Sequence, residues 1–163
     1  MLTVLLIDTG IRITEALTLT EDKIDFRTQT ITITADIAKT GKPRYVPFGT
    51  KTNRLLHELI AEINELDTNY IFVTVYGNPL DKDTYRNRLK KYTKQAGIKK
   101  NVTVHQLRHT FCRFYLSNGG DIYTLQRITG HASINTLRRY LQFDTEDIIN
   151  KHAKHSPLNN IKI

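Results

Sequence analysis

The stretch VTVHQLRHTF, residues 102–111, places two histidines and an arginine between positions 105 and 109, just after Thr103, a residue that commonly starts a helix. A helix turns by about 100° per residue, so His105, Arg108, His109 and Cys112 fall on one side and Leu107, Phe111 and Phe114 on another. The segment reads as a helix with a polar working face and a core face, stopped at Gly119 and Gly120. Three uses of the polar face compete. His105 and His109 have the i, i+4 spacing of H-E-x-x-H zinc proteases, but position 106 is Gln, which cannot accept a proton from zinc-bound water, and Arg108 repels a dication. The two histidines can instead be satisfied structurally by backbone groups. Alternatively the face is a phosphate clamp, with Arg108 offering a planar fork and His105 a donor that titrates near neutral pH.

Outward from this helix, the chain is mostly helical with one small early sheet. Residues 1–9 read as a buried helix that Gly10 ends, and ITEALTL as a second short helix carrying Arg12 and Glu15. TQTITITADI alternates Thr and Ile at period two, KTGKP is turn chemistry, and RYVPF is a second strand, so Lys39 sits at or beside a hairpin tip. TKTNRLLHELIAEINEL is an amphipathic helix with Thr50 or Thr52 as its cap, and YIFVTVYGNPL a short extended stretch. DKDTYRNRLKKYTKQAG is a basic helix. DIYTLQRITGH, SINTLRRYLQF and TEDIINKHAKH are three further short helices, capped by Asp121, Ser133, and Asp144 or Thr145.

A chain of 163 residues is about one domain, and 39% hydrophobic with 25% charged residues is the composition of a folded globular protein. The net charge of +8 is unevenly spread: from Tyr85 to Gly120 the bases Arg86, Arg88, Lys90, Lys91, Lys94, Lys99, Lys100, Arg108 and Arg113 meet no acid, whereas Glu58, Glu62, Glu65 and Asp67 cluster without a base. Such a stretch either neutralises phosphates or is a solvated basic face. The single cysteine, Cys112, excludes an intramolecular disulfide and a cysteine zinc site. The N-terminal apolar run is short, lacks a basic leader and reaches Asp8 early, and nothing approaches membrane-spanning length, so a cytoplasmic protein is expected.

Four segments, DTGIRITE (8–15), KTGKPRYVP (39–47), HQLRHTF (105–111) and GHASINTLRRY (130–140), occur in the order and at the spacing of the tyrosine recombinases, the phage and transposon integrase family, which this chain resembles over nearly its whole length. The resemblance implies an α+β tyrosine recombinase catalytic-domain fold. It implies site-specific DNA integration or excision by strand cleavage and rejoining, with Tyr140 attacking the scissile phosphate to give a 3′-phosphotyrosyl link and a free 5′-hydroxyl. A tyrosine with its ordinary pKa of about 10 must lose its proton as it attacks or sit in a positive field. By resemblance Arg12 and Arg108 grip the non-bridging oxygens, His131 adds a donor, His105 is general acid or base towards Tyr140, and Lys39 protonates the leaving oxygen, with Lys42 as competitor. Preorganised donors of this kind are each worth about 3 kcal/mol or more in a dry site. Glu15 orients Arg12 and His109 supports the site; Lys42, Arg44, Arg86, Arg88, Lys90 and Lys91 are the expected DNA contacts, and neither metal nor cofactor is implied.

Two threonines often precede the tyrosine in relatives, and here the pair is Thr136-Leu137; a histidine often follows it by two positions, and here that residue is Gln142. Family members usually carry an N-terminal helical domain that clamps the far side of the duplex, and residues 1–163 are expected to be the catalytic domain without it. The tail, 144–163, resembles a C-terminal helix exchanged between subunits; a monomer in solution and a homotetramer of the full-length protein on double-stranded DNA are expected. A type IB topoisomerase shares the chemistry, and a non-catalytic DNA-binding module is the other alternative.

Overall fold

The computed structural model describes residues 1–141 and 145–161. Helix α1 (Leu2–Thr9) ends at Gly10, whose φ of 63° is the left-handed stop that its sequence suggests. A β-carbon there would stand 2.1 Å from Phe111, so glycine is required both by the backbone angle and by the packing of α1 against α5. Short α2 (Ile13–Leu17) follows, then an antiparallel sheet of β1 (Ile24–Asp25), β2 (Thr30–Ile33) and β3 (Arg44–Pro47), in that order. The register pairs Ile31 with Val46 and Ile33 with Arg44. The Thr–Ile alternation buries Ile31 and Ile33 completely and leaves Thr30 and Thr32 half-buried.

Helix α3 (Thr50–Ile63) is capped differently from expectation. Gly49 is its N-cap, and the carboxylate of Asp8, at the end of α1, accepts from the Gly49 amide at 2.8 Å and from the Thr52 hydroxyl at 2.6 Å. Thr52 is buried by that contact instead of capping the helix itself. The stretch YIFVTVYGNPL forms no regular strand; it makes isolated bridges, Thr20 with Tyr70 and Val73 with Pro79. Helix α4 (Lys82–Gln95) is capped by Asp81 and buries Tyr85 and Leu89, leaving its basic residues outside.

Helix α5 (Val104–Ser117) begins at Thr103 with a reciprocal cap: Thr103 Oγ1 accepts from the Gln106 amide, and Gln106 Oε1 accepts from the Thr103 amide at 2.7 Å. Helix α6 (Ile122–Thr129) is capped by Asp121 and closed by left-handed Gly130. Next come α7 (Asn135–Arg138), whose Asn135 amide donates to Ser133 Oγ, and α8 (Thr145–His155). Asp144, one candidate cap for α8, lies outside the described residues.

The main core joins α1, α2, the sheet, α3 and α4 around Leu5, Leu6, Ile31, Val46 and Leu56. A second cluster, Cys112, Leu116, Leu125 and Leu137, binds α5 to α6 and α7 and supports Tyr140. The expected core face of α5 is corrected at Phe114, which is 62% exposed, while Cys112 is a packing residue fully buried in this cluster. Helices α6 and α7 cover the side of α5 that carries Cys112, so the polar face is narrower than the bare helix suggests.

Candidate active site

Arg108 is nearly buried, and the backbone holds it: Nη1 donates to the Gly10 carbonyl at 2.7 Å and Nη2 to the Thr129 carbonyl at 2.8 Å. Burial, and then the charge of Arg12, push its pKa down to about 10, so it stays protonated at neutral pH. Arg12, the N-cap of α2, sends Nη1 to the Thr129 carbonyl at 3.4 Å and Nη2 to the Gly130 carbonyl at 3.2 Å. Arg44 sends Nε to the Ile128 carbonyl at 2.8 Å. Three arginines from three separate segments therefore converge on three successive carbonyls at the C-terminal end of α6, the negative end of the helix dipole.

Glu15 is the buried counter-charge. Its carboxylate accepts from the Arg12 amide at 2.8 Å and Arg12 Nη1 at 3.2 Å, and takes the Arg44 fork at 3.0 and 2.7 Å. Burial alone would raise its pKa, but the hydrogen bonds and charges of Arg44 and Arg12 outweigh that and hold it below the usual range.

His131, next after Gly130, has both ring nitrogens 3.4 Å from Arg108 Nη2, and its Nδ1 is 2.6 Å from the Thr129 hydroxyl. That hydroxyl donates to the Leu125 carbonyl, so it accepts from Nδ1–H and leaves Nε2 of the neutral ring as an acceptor. Burial, then Arg108 and Arg12, push the His131 pKa down to about 4. An anion placed between these groups would offset the positive field and favour a protonated ring that donates from Nε2.

The Tyr140 hydroxyl is hydrogen-bonded to His109 Nδ1, and Arg139 lies 5.2 Å from the centre of the Tyr140 ring. The His105 ring meets His109 edge-on, with centroids 4.3 Å apart. His109 is thus the histidine in direct contact with the tyrosine, and His105 stands exposed beside His109. Burial first, then neighbouring cationic and histidine groups, lower the pKa of both rings, so both are neutral at pH 7 and can accept a proton. Burial raises the Tyr140 pKa, against the opposing effect of Arg139 and Arg108, and the resting residue is a phenol. An open groove lined by Lys100, Gln106, His109, Arg113, Arg139 and Tyr140 exposes this end of the cluster.

Arg12, Glu15, Arg108 and His131 are thus linked by contacts into one group, and His105, His109 and Tyr140 into a second, with Arg108 and His109 adjacent on α5. Lys39 belongs to neither: it stands exposed on the turn between β2 and β3, without a polar partner among the described residues. Lys42, its competitor, lines a second groove together with Arg44, Tyr45 and His131. Arg44 is corrected outright as an expected DNA contact, because its side chain is only 9% exposed and its guanidinium is spent on Glu15 and Ile128. The overlooked signal was strand parity, since Arg44 shares the inward face of β3 with buried Val46. Arg86 is exposed but paired with Asp83 at 2.7 Å, while Arg88, Lys90 and Lys91 lie open on α4. Gln106 serves the cap of α5, and among the described residues no three His, Cys, Asp or Glu side chains converge as a metal site. No helix among the described residues is long and apolar enough to cross a membrane.

The structure of the recombinase XerA superimposes with a TM-score of 0.79 at 31% identity, covering 94% of this chain and 55% of that one. That of the site-specific recombinase XerH bound to its difH substrate, a pre-cleavage complex, gives 0.76 at 26% identity, covering 93% and 45%. Among relatives known by sequence, the tyrosine recombinase XerC of Lacticaseibacillus casei is 31% identical over 159 residues, 93% of this chain and 52% of its own length. The chain thus spans about half the length of the curated relatives it matches. The pattern of the phage integrase family matches residues 1–147, and together with the mostly helical fold and its small antiparallel sheet it establishes that this chain belongs to that family.

Proposed function

We propose that residues 1–163 form the catalytic domain of a site-specific tyrosine recombinase that breaks and rejoins double-stranded DNA through Tyr140. The observation that carries this reading is the Tyr140 phenol, bonded to a neutral histidine that directly follows the backbone-anchored Arg108 on α5. That arrangement supplies a nucleophile, a proton acceptor and fixed positive charge for a phosphoryl transition state.

In the proposed step, Tyr140 Oη attacks the scissile phosphorus while its proton passes to His109 Nδ1, and His105 links that ring to solvent. The P–O5′ bond breaks, and the leaving 5′-oxygen takes a proton from a lysine of the hairpin turn, Lys39 or Lys42. Arg12, Arg108 and protonated His131 receive the charge that grows on the non-bridging oxygens. The bond energy stays in the phosphotyrosyl ester, so attack by a 5′-hydroxyl reseals the strand without ATP. Arg88, Lys90 and Lys91 supply non-specific phosphate contacts. In a longer protein, α8, with Ile148 and Ile149 exposed, docks on a neighbouring subunit of a DNA-bound tetramer. The reaction takes place in the cytoplasm.

Covalent capture on a nicked duplex, in EDTA, tests the reading. Wild type gives a slower band on a denaturing gel and Tyr140→Phe gives none. An adduct formed equally by both proteins, or only after a divalent metal is restored, would overturn it.

A further inference from the structure

We propose that Arg44 is a positioning residue of the cleavage centre: by occupying the carboxylate of Glu15, it keeps the Arg12 guanidinium on the Thr129 and Gly130 carbonyls, where it grips the scissile phosphate. The assignment rests on the reading of Tyr140 as the nucleophile.

Two guanidiniums compete for one buried carboxylate, and the distances show which holds it. Arg44 makes a two-pronged contact with Glu15 at 2.7 and 3.0 Å, whereas the Arg12 guanidinium makes a single contact at 3.2 Å. A fork of this kind is the strongest arrangement available to a carboxylate, and Arg12 is the nearest guanidinium that could form one in its place. Without Arg44, Glu15 turns both oxygens to Arg12 and draws it off the Thr129 and Gly130 carbonyls, away from Arg108 and His131.

The remainder of the Arg44 side chain fixes the same centre from another direction. Nε holds the Ile128 carbonyl, and the side chain lies flat on Gly130, where an added β-carbon would meet Cδ, Nε and Cζ at 3.2 Å. His131 follows that glycine directly. Arg44 also opens β3, paired with Ile33, immediately after the turn that carries Lys39 and Lys42. One side chain thus ties the hairpin to the segments bearing Arg12 and His131. Lysine cannot replace it, because a single ammonium cannot span both carboxylate oxygens and reach the Ile128 carbonyl.

The experiment compares wild type, Arg12→Ala, Arg44→Lys and Arg44→Ala on two nicked duplexes that are identical except at the cut. One carries the natural phosphate, and the other a methylphosphonate, in which a non-bridging oxygen and its charge are absent. On the phosphate duplex, both Arg44 variants are expected to form the Tyr140 adduct on the order of 10²-fold more slowly, with duplex affinity unchanged, as a displaced phosphate ligand requires. On the methylphosphonate duplex, where the charge that Arg12 meets is gone, the Arg44 variants and Arg12→Ala should converge on wild type. Thermal melting of Arg44→Lys confirms that the folded protein is being compared. Equal losses on both duplexes would reduce Arg44 to a structural residue and overturn the assignment, as would a normal rate on phosphate. Failure of wild type to form any adduct overturns the reading of function and this assignment with it. An active wild type beside unaffected Arg44 variants overturns the assignment alone.

Discussion

Replacing Glu15 by glutamine removes one charge without changing the shape of the side chain, and the structure gives the cost. The carboxylate is buried and accepts four hydrogen bonds, two from Arg44 and two from Arg12. Glutamine keeps one oxygen, which can satisfy about two of the four donors, and turns an NH2 group towards the others. Two lost bonds to charged groups at about 1.5–3 kcal/mol each come to about 3–6 kcal/mol, close to the about 3–5 kcal/mol found when one partner of a buried ion pair is removed. For a chain of 163 residues, about 4 kcal/mol corresponds to a fall in Tm of about 8–16 °C. Urea unfolding of wild type and Glu15→Gln at pH 7 reads this directly. The difference also has a pH signature. Glu15 is held below the carboxylate value of 4.5, so its stabilisation is complete above that value and is lost as the pH falls through the lower folded value. The gap between the two proteins should therefore narrow in acid. A destabilisation below about 1 kcal/mol at pH 7 would refute the reasoning, because it would mean that the four contacts do not compensate one buried charge.

Two other substitutions probe the same framework. The pKa of His131 is pushed down to about 4 in the folded chain, so between that value and its ordinary 6.5 the unfolded chain binds a proton that the native state does not, and stability falls as the pH drops across that window. His131→Gln should flatten that slope in unfolding curves taken at pH 4.5 and 7, and an unchanged slope would contradict the burial and charge assigned to the ring. Gly10→Ala adds a methyl group 2.1 Å from Phe111 at a φ of 63°, and strain plus overpacking predict a loss of about 2–4 kcal/mol in guanidinium unfolding. A neutral result would show that α1 and α5 can separate at no cost.

Much of this was legible from residue order alone. The helix stop at Gly10, the Thr–Ile alternation of β2 and the cap at Thr103 are local signals, and each decides its own element. The candidate site residues could be named because each lies at a fixed offset within a short segment, which does not say how they pair. Which histidine meets Tyr140 depends on how α7 crosses α5, a tertiary fact, and it is His109 that does so. Arg44 was misread because a basic residue beside a hairpin turn suggests solvent, although its place in the strand points inward. Phe114 was misjudged for a similar reason: helical rotation gives relative angles, whereas the neighbouring elements decide which angle is covered. YIFVTVYGNPL has the residues of a strand but makes only isolated bridges.

Because the last turn of α6 receives the arginines through carbonyl oxygens, the protein has encoded a charge-binding surface in the position of its main chain. Point changes and length changes should then differ sharply in effect. The contact between Arg44 and residue 128 does not involve the Ile128 side chain, so an apolar exchange there leaves the receptor itself intact. Inserting or deleting one residue ahead of it would rotate all three carbonyls by about 100° and disengage three arginines together. An apolar exchange at residue 128 is therefore tolerable where a change in the length of α6 is not.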